Sequence, residues 1–129
     1  MAVVPVERGD VVWVCLVGAL GVEKKGHDPN DPLSERPCLV VQNNGGNAGS
    51  PLTIVAPITD AGAYKGYPAQ VQVPASELGP GGKDSVVECG HIRSIDRDHR
   101  INAARGVVAH LPASRMESVD KALEASLGL

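Results

Sequence analysis

Short valine-rich runs separated by glycine and proline constrain the fold of this chain more than any other feature. Of its 129 residues, 15 are Gly, 10 are Pro and none is Phe. β-Branched side chains favour strands, whereas Gly and Pro interrupt regular structure. The pattern therefore predicts a small protein built from short strands, and the length fits a single domain over residues 1–129.

The apolar runs predict about six strands. Most are continuous, as expected of buried strands, but Ala69–Val73 alternates in the manner of a strand with one wet face. The predicted strands are Val11–Val17, Cys38–Val41, Leu52–Thr59, Ala69–Val73, Ser85–Ile95 and Gly106–Leu111.

Two segments between these runs predict loops. Gly18–Pro37 has no strand or helix period, and a loop of this length inside a compact domain is often functional. Asn43–Pro51 is rich in Asn, Gly and Ser, which predicts a cluster of turns.

Only the end of the chain has a helical period. Its apolar stripe consists of Met116, Val119, Leu123 and Leu127. Either Pro112 or a capping box at Ser114 would begin this helix, and Gly128 would end it. The predicted architecture is therefore a small barrel-like sheet closed by a C-terminal amphipathic helix.

The cysteines and the N-terminus indicate the cellular compartment and whether the chain binds a metal. Cys15, Cys38 and Cys89 are far apart and lack the spacing of a zinc site, which favours buried, reduced thiols. The N-terminus does not resemble a signal peptide, and no apolar run is long enough to span a bilayer. We expect a cytoplasmic protein with no metal, no cofactor and no membrane partner.

The charge argues against indiscriminate binding of nucleic acid but allows a local basic site. The net charge is −3, whereas proteins that coat nucleic acid need a cationic surface. The charge is also segregated, since residues 91–105 contain four Arg and two Asp, a local +2. This arginine strip is either a solvated face or a surface that meets phosphates.

A set of segments, in the same order along nearly the whole chain, resembles the MazF/PemK toxin family of bacterial toxin–antitoxin systems. The segments are Arg8–Val14, Arg36–Asn43, Ser50–Pro51, Ile54–Thr59, Asp84–Val87, Ile92–Asp96, Met116–Leu123 and Ser126–Leu129.

The resemblance implies a mainly β fold with some α, a small SH3-like β-barrel of the CcdB/PemK type that works as a homodimer. It implies sequence-specific, metal-independent cleavage of single-stranded RNA, often mRNA. The attacking group would be the RNA's own 2′-hydroxyl, leaving 2′,3′-cyclic phosphate and 5′-hydroxyl ends. It also implies inhibition by a cognate antitoxin with an acidic or disordered tail, and DNA binding together with that antitoxin.

The family's catalytic residues correspond to Arg36 and Thr59 in this chain. In-line attack builds negative charge on the phosphate oxygens, which a guanidinium and a hydroxyl can stabilise by hydrogen bonds. A guanidinium is a poor base at neutral pH, so a donor role for Arg36 is chemically better than a role in proton transfer.

A second group of polar side chains is expected to contact the RNA, either at base edges or at the backbone. Glu23 corresponds to a family position that reads a base, and the others are candidates by their place in loops or strand ends. The expected RNA-binding residues are Glu23, Lys24, Gln42, Asn43, Asn47, Ser50, Ser85, His91 and Arg93.

The chain departs from the family pattern in three places. An insertion at His27–Ser34 enlarges the first loop, which in the family borders the RNA groove. Gly90 and His91 replace a Glu-Gln pair, and His91 could read a base or titrate near neutral pH. Ala48–Gly49 replaces an arginine and an aromatic, which removes a possible stacking contact.

Two other functions remain open from the sequence. A protein of this fold could instead poison a topoisomerase through its C-terminal helix, as CcdB-type toxins do, although Arg36 and Thr59 favour the nuclease. The departures at Gly90–His91 and Ala48–Gly49 also fit a degenerate relative that only binds partners.

Overall fold

Seven antiparallel strands curl into one sheet, and a C-terminal helix packs on it. The computed structural model describes residues 4–28 and 30–129. The strands are β1 Asp10–Cys15, β2 Glu35–Val40, β3 Leu52–Asp60, β4 Gln70–Val73, β5 Ser85–Glu88, β6 Arg93–Asp96 and β7 Ala109–His110. The helices are α1 Asn44–Gly49, α2 Arg97–Arg100 and α3 Ala113–Leu127.

The long strand β3 is the centre of the sheet. One of its edges pairs with β2, which continues through β1 to β7. Its other edge is shared, since β6 pairs with the first half of β3 and β5, followed by β4, with the second half. This arrangement gives the curled half-barrel sheet and C-terminal helix typical of CcdB/PemK-type proteins, as the resemblance implied.

Both faces of the central strands are buried, which explains why their sequences are continuously apolar rather than alternating. Val11, Leu39 and Ile58 belong to one apolar cluster, which also contains residues of α3. The neighbouring side chains point the other way, and Val12 and Cys38 belong to a second cluster.

Helix α3 begins and ends where glycine and proline allow it. Pro112 precedes its first residue, so the predicted start at Pro112 is confirmed and Ser114 lies inside the helix. Gly128 ends it in the left-handed conformation, with φ of 73°. Arg115 binds both oxygens of Glu77 at 2.9 and 3.0 Å, which ties the first turn of α3 to the sheet connections.

The predicted single strand Ser85–Ile95 is wrong, because it forms β5 and β6 with a turn between them. Val87 lies opposite Ile58, and continuing that register would place Gly90 opposite Val55. Arg93 occupies that place instead, so the intervening residues bulge out of the ladder. The curl of the sheet therefore depends on this interruption, which an apolar run does not reveal.

Several boundaries also differ from the prediction. Strand β2 begins at Glu35 rather than Cys38, because Glu35 and Arg36 pair with Cys15 and Val14 of β1. Strand β1 stops at Cys15, two residues before its predicted end, and β7 retains only Ala109–His110 of the predicted run.

The predicted turn cluster contains a short helix, α1, despite its glycines. The Asn43 side chain caps it by accepting a hydrogen bond from the Gly46 N–H at 2.7 Å. Asn47, which is buried, accepts hydrogen bonds from Thr53 at 2.6 Å and Gln42 at 3.2 Å. Tertiary contacts, rather than helix propensity, therefore stabilise α1.

Within residues 4–28 and 30–129, no helix is long and apolar enough to cross a membrane.

Replacing Leu39 tests the buried face of β2. Leu39 is 0 % exposed, so we expect Leu39→Ala to lower the free energy of unfolding by about 2–5 kcal/mol. Urea denaturation followed by the fluorescence of Trp13 measures it, at one protein concentration because association would add stability.

The matched control is Leu20→Ala, since Leu20 is 75 % exposed and should cost less than about 0.5 kcal/mol. Equal effects of the two substitutions would contradict the assignment of Leu39 to the core.

Candidate active site

Strands β2 and β3 bring Arg36 and Thr59 to the same end of the sheet. Cys38 lies opposite Pro57 in the ladder, and continuing this register by two residues sets Arg36 opposite Thr59. Directly opposite residues of antiparallel strands share a face, with Cβ atoms about 5 Å apart. The two catalytic residues expected from the resemblance therefore meet on one surface.

Within the described part of the chain, the guanidinium of Arg36 is held only by backbone carbonyls. Its Nε donates to the Lys25 carbonyl at 2.6 Å, Nη1 to Ile58 at 3.1 Å and Nη2 to Gly26 at 3.5 Å. A guanidinium has more N–H donors than these three bonds use. Among the described residues no carboxylate forms an ion pair with Arg36, so its charge and remaining donors are available to an anion.

Burial also sets the electrostatics of Arg36. Desolvation lowers the pKa of the guanidinium, because burial disfavours the charged form. The carboxylates of Asp60 and Glu88 oppose this shift by their negative charge. A cation that is partly desolvated and not directly paired binds a phosphate more strongly than one in water.

Thr59 offers a hydroxyl without a partner. Its side chain is buried, at 9 % exposed, and Oγ1 makes no hydrogen bond with any described residue. Most buried polar atoms in proteins are hydrogen-bonded, so one that is not often marks a ligand site. The Ile58 carbonyl immediately before Thr59 accepts from Arg36, so the guanidinium contacts the backbone next to this residue.

Two carboxylates border this site, and sequence reasoning missed both. Asp60 binds Lys83 at 2.7 Å, and that hydrogen bond and charge lower the pKa of the Asp60 carboxyl. Glu88 is buried, accepts hydrogen bonds from Gln70, and lies 3.9 Å from the ammonium of Lys24. Neither residue belongs to a short motif, so only the fold reveals them.

Four of the expected RNA-binding residues line one cavity on this face. The cavity has a volume of about 380 Å³ and includes Pro57, two residues from Thr59 on β3 and therefore on its side of the strand. Its wall combines an acid, an imidazole and two cations. The expected residues that line it are Glu23, Lys24, His91 and Arg93.

The structure does not bring Gln42, Asn43, Asn47 and Ser50 to this site. They surround α1, beyond the opposite end of β2, and Gln42 is six residues from Arg36, about 20 Å along an extended chain. Asn43 caps the helix and Asn47 is buried in the network described above. The hydroxyl oxygen of Ser50 accepts from the Leu52 N–H at 3.0 Å.

Ser85 lies closer to the site but is also occupied. It is buried on β5 opposite Asp60, and its hydroxyl donates to the Lys83 carbonyl at 2.7 Å. It lines a second cavity of about 360 Å³ with Trp13 and Arg105. The guanidinium carbon of Arg105 lies 4.1 Å from the centre of the Trp13 ring. The His27 ring contacts Trp13 edge to face, with 6.0 Å between the two ring centres.

The predicted arginine strip does not form one continuous surface. Arg93 lines the cavity that includes Glu23 and Pro57, whereas Arg105 packs on Trp13. Arg97 is buried and donates to the carbonyls of Val4 and Ser50, while Arg100 binds the carbonyls of Cys15 and Val17. Two of the four arginines therefore stabilise the fold.

The one group of His and carboxylate side chains close enough to share a cation, within the described part of the chain, lies elsewhere. It consists of Glu7, Asp10 and His110, with ligand atoms within 4.8 Å of one another. His110 and Asp10 also bind each other at 2.7 Å, which joins β7 to β1.

Comparison with known proteins shows the family. Residues 7–127 match the family model described as the PemK-like, MazF-like toxin of type II toxin–antitoxin systems. The chain is 36% identical to Endoribonuclease EndoA of Bacillus subtilis (strain 168) over 124 residues, which cover 96% of each chain.

Solved structures give the same result. A MazF crystal structure from Deinococcus radiodurans is 32% identical, with a TM-score of 0.72 and 98% of each chain covered. A MazE–MazF crystal structure from the same organism is 30% identical, with a TM-score of 0.66 and 98% of this chain and 97% of that chain covered. Nothing in these likenesses favours the topoisomerase poison.

Thiol reactivity tests the environment of β2 and β5. Burial raises the pKa of both Cys38 and Cys89 to about 12, so at pH 8 only about 10⁻⁴ of each is the reactive thiolate. Cys15 is half-buried. We expect iodoacetamide at pH 8 to alkylate Cys15 alone, as measured by mass spectrometry of tryptic peptides.

The control is the same reaction in guanidinium chloride, where all three thiols should react. Alkylation of Cys38 in the folded protein as fast as Cys15 would show that the strand beneath Arg36 is not packed as described.

Proposed function

The chain belongs to the PemK-like, MazF-like toxins of type II toxin–antitoxin systems, and from this premise we propose that it is an endoribonuclease that cleaves single-stranded RNA. The observation that carries the proposal is the pairing of Arg36, held only by carbonyls, with the unpartnered hydroxyl of Thr59. This combination is suited to an anion with several oxygens, such as a phosphodiester.

The proposed reaction uses the RNA's own 2′-hydroxyl. O2′ bonds to phosphorus, the P–O5′ bond breaks, and the products carry a 2′,3′-cyclic phosphate and a 5′-hydroxyl. Negative charge grows on the non-bridging oxygens as O2′ attacks. The free N–H donors of Arg36 and the Thr59 O–H stabilise this charge, and donors fixed before the reaction are worth more than mobile ones.

Proton transfer falls to groups other than Arg36. Burial lowers the pKa of its guanidinium, yet an arginine keeps its proton at neutral pH, so it donates hydrogen bonds throughout. The proton of the 2′-hydroxyl leaves to a separate acceptor, and O5′ takes one up as the bond breaks. In this reaction no step requires a metal ion or cofactor.

The cavity lined by Glu23, Lys24, His91 and Arg93 supplies the base recognition in this proposal. Its volume of about 380 Å³ can hold a base, and it adjoins Pro57 on the face that carries Thr59. Glu23 and His91 offer acceptor and donor atoms to base edges, whereas Lys24 and Arg93 suit the flanking phosphates. Among the described residues no Phe, Tyr or Trp side chain lines it, so polar contacts, together with the His91 ring, would set the sequence preference.

We also propose the partners that the family suggests. The MazE–MazF structure described above pairs a relative with a second protein, and a cognate antitoxin is the corresponding partner here. An acidic or disordered antitoxin tail would compete with RNA for the same cations. We propose a homodimer as well, on the basis of the family resemblance.

Removing the two phosphate donors tests the mechanism. We expect Arg36→Ala to lower the single-turnover cleavage rate by about 10²–10³-fold and Thr59→Val by about tenfold, because each loses donors to the charged transition state. The measurement uses a fluorescent RNA in EDTA, where the wild-type protein should keep its rate. A 2′-deoxy substitution at the cut site should abolish cleavage.

Arg115→Ala is the matched control, because Arg115, on α3, pairs with Glu77 between β4 and β5 and lies outside the site. Cleavage that needs a metal, that survives the 2′-deoxy substitution or that is unaffected by Arg36→Ala would refute the proposal.

Substitution of His91 tests the proposed base cavity. His91→Ala should raise KM for the preferred RNA about tenfold with little change in kcat, because it removes a contact made before and during the reaction. The control is His99→Ala, since His99 is exposed and pairs with Asp96 at 2.8 Å. An unchanged KM would contradict a role of His91 in base recognition. So would an unchanged KM combined with a changed dependence of kcat on pH, which would indicate a role in proton transfer instead.

A further inference from the structure

The loop between β1 and β2 closes on itself beside Arg36. The Gly26 N–H donates to the Ser34 hydroxyl oxygen at 2.9 Å. A Cβ atom at residue 26 would lie 2.5 Å from two backbone atoms of Ser34, a separation that real Cβ atoms do not adopt. Because backbone cannot rotate away as a side chain can, only glycine fits this closure.

Ser34 is held rigidly on its side of the closure. Its φ of 54° lies in the left-handed region, and it is the one non-glycine residue with positive φ in the described part of the chain. Its N–H donates to Asp31 and its carbonyl accepts from Leu16, both at 3.0 Å. A strained residue persists only where its surroundings fix it, and such residues cluster at functional sites.

The closure has a direct consequence for the guanidinium. The carbonyls of Lys25 and Gly26, which flank the Gly26 N–H along the chain, accept from Nε and Nη2 of Arg36. One peptide segment therefore contacts Ser34 through its N–H and Arg36 through its carbonyls. The His27 N–H bonds to Glu35 at 2.6 Å and joins the same segment to the strand that carries Arg36.

We propose that Gly26 and Ser34 are positioning residues for Arg36, which hold its guanidinium in the direction that stabilises the charge growing on the phosphate oxygens during the reaction. Nothing in the sequence motif around Arg36 requires this contact, which joins Gly26, just before the insertion at His27–Ser34, to the last residue of that insertion. The inference rests on the proposed function of Arg36, and its test separates the two.

The decisive variant is Gly26→Ala. It should lower kcat about tenfold or more, while the dissociation constant for an RNA with a 2′-deoxy cut site changes by less than about twofold, because Arg36 remains present but misdirected. Gly62→Ala is the matched control, since Gly62 has open space at its Cβ and no positive φ. Ser34→Ala removes only the acceptor hydroxyl and should lower kcat by less than Gly26→Ala does. It replaces Gly26→Ala in the test if that variant does not fold.

An independent readout is the ¹⁵N–¹H signal of Arg36 Nε, identified by its absence in Arg36→Lys. In the wild-type protein its hydrogen bond should slow exchange with water, and Gly26→Ala should abolish that protection. A merely structural role in the loop would lower thermal stability but leave the signal and kcat unchanged, which would overturn the inference.

The two proposals fail differently. Full activity of Arg36→Ala would refute the catalytic role of Arg36, whatever Gly26→Ala does. Loss of activity in Arg36→Ala combined with wild-type kcat in both Gly26→Ala and Ser34→Ala would refute only the positioning role.

Discussion

Burial of both faces of the β1–β2–β3 sheet is the constraint on which the rest of the structure depends. Two apolar clusters cover these strands, one of them together with α3. Polar chemistry can therefore occur only at strand ends and in the connecting loops. Arg36 near the start of β2 and Thr59 near the end of β3 occupy such a position, because antiparallel pairing brings those two ends together.

The same constraint determines how Arg36 is held. At the edge of an apolar core a buried carboxylate would have neutralised the guanidinium and used its donors. Backbone carbonyls from Lys25, Gly26 and Ile58 orient it instead without cancelling its charge. Asp60 and Glu88 act on its pKa from farther away. The site thus combines a fixed cation with a free hydroxyl, which suits a substrate that gains negative charge during the reaction.

The sequence predicted the fold class and the extent of β3 because these follow from local patterns. The valine-rich runs marked strands, and the apolar stripe through Val119 and Leu123 marked α3. The sequence-based predictions were wrong where contacts between distant residues determine the local structure. The bulge around Gly90 that separates β5 from β6 is a matter of register, and α1 is stabilised by Asn47 against glycine-rich propensity.

The site was predictable to a similar degree. The resemblance suggested Arg36 and Thr59, which the fold brings to one end of the sheet, and the fold gathers Glu23, Lys24, His91 and Arg93 in one cavity. The catalytic and RNA-binding roles of these residues stay predictions. Polar composition alone suggested Asn47 and Ser50, whose hydrogen bonds are within the fold. The carbonyl contacts to Arg36 have no sequence signature, because backbone groups are present at every residue.

The chemistry of the cut ends tests most directly whether the 2′-hydroxyl of the RNA is the nucleophile. Mass spectrometry of both fragments of a defined RNA, cleaved in EDTA, identifies which P–O bond breaks. Attack by the 2′-hydroxyl leaves a 2′,3′-cyclic phosphate on one fragment and a 5′-hydroxyl on the other, and this is the expected result. A 5′-phosphate with a 3′-hydroxyl would contradict it, because water rather than the 2′-hydroxyl would then be the nucleophile.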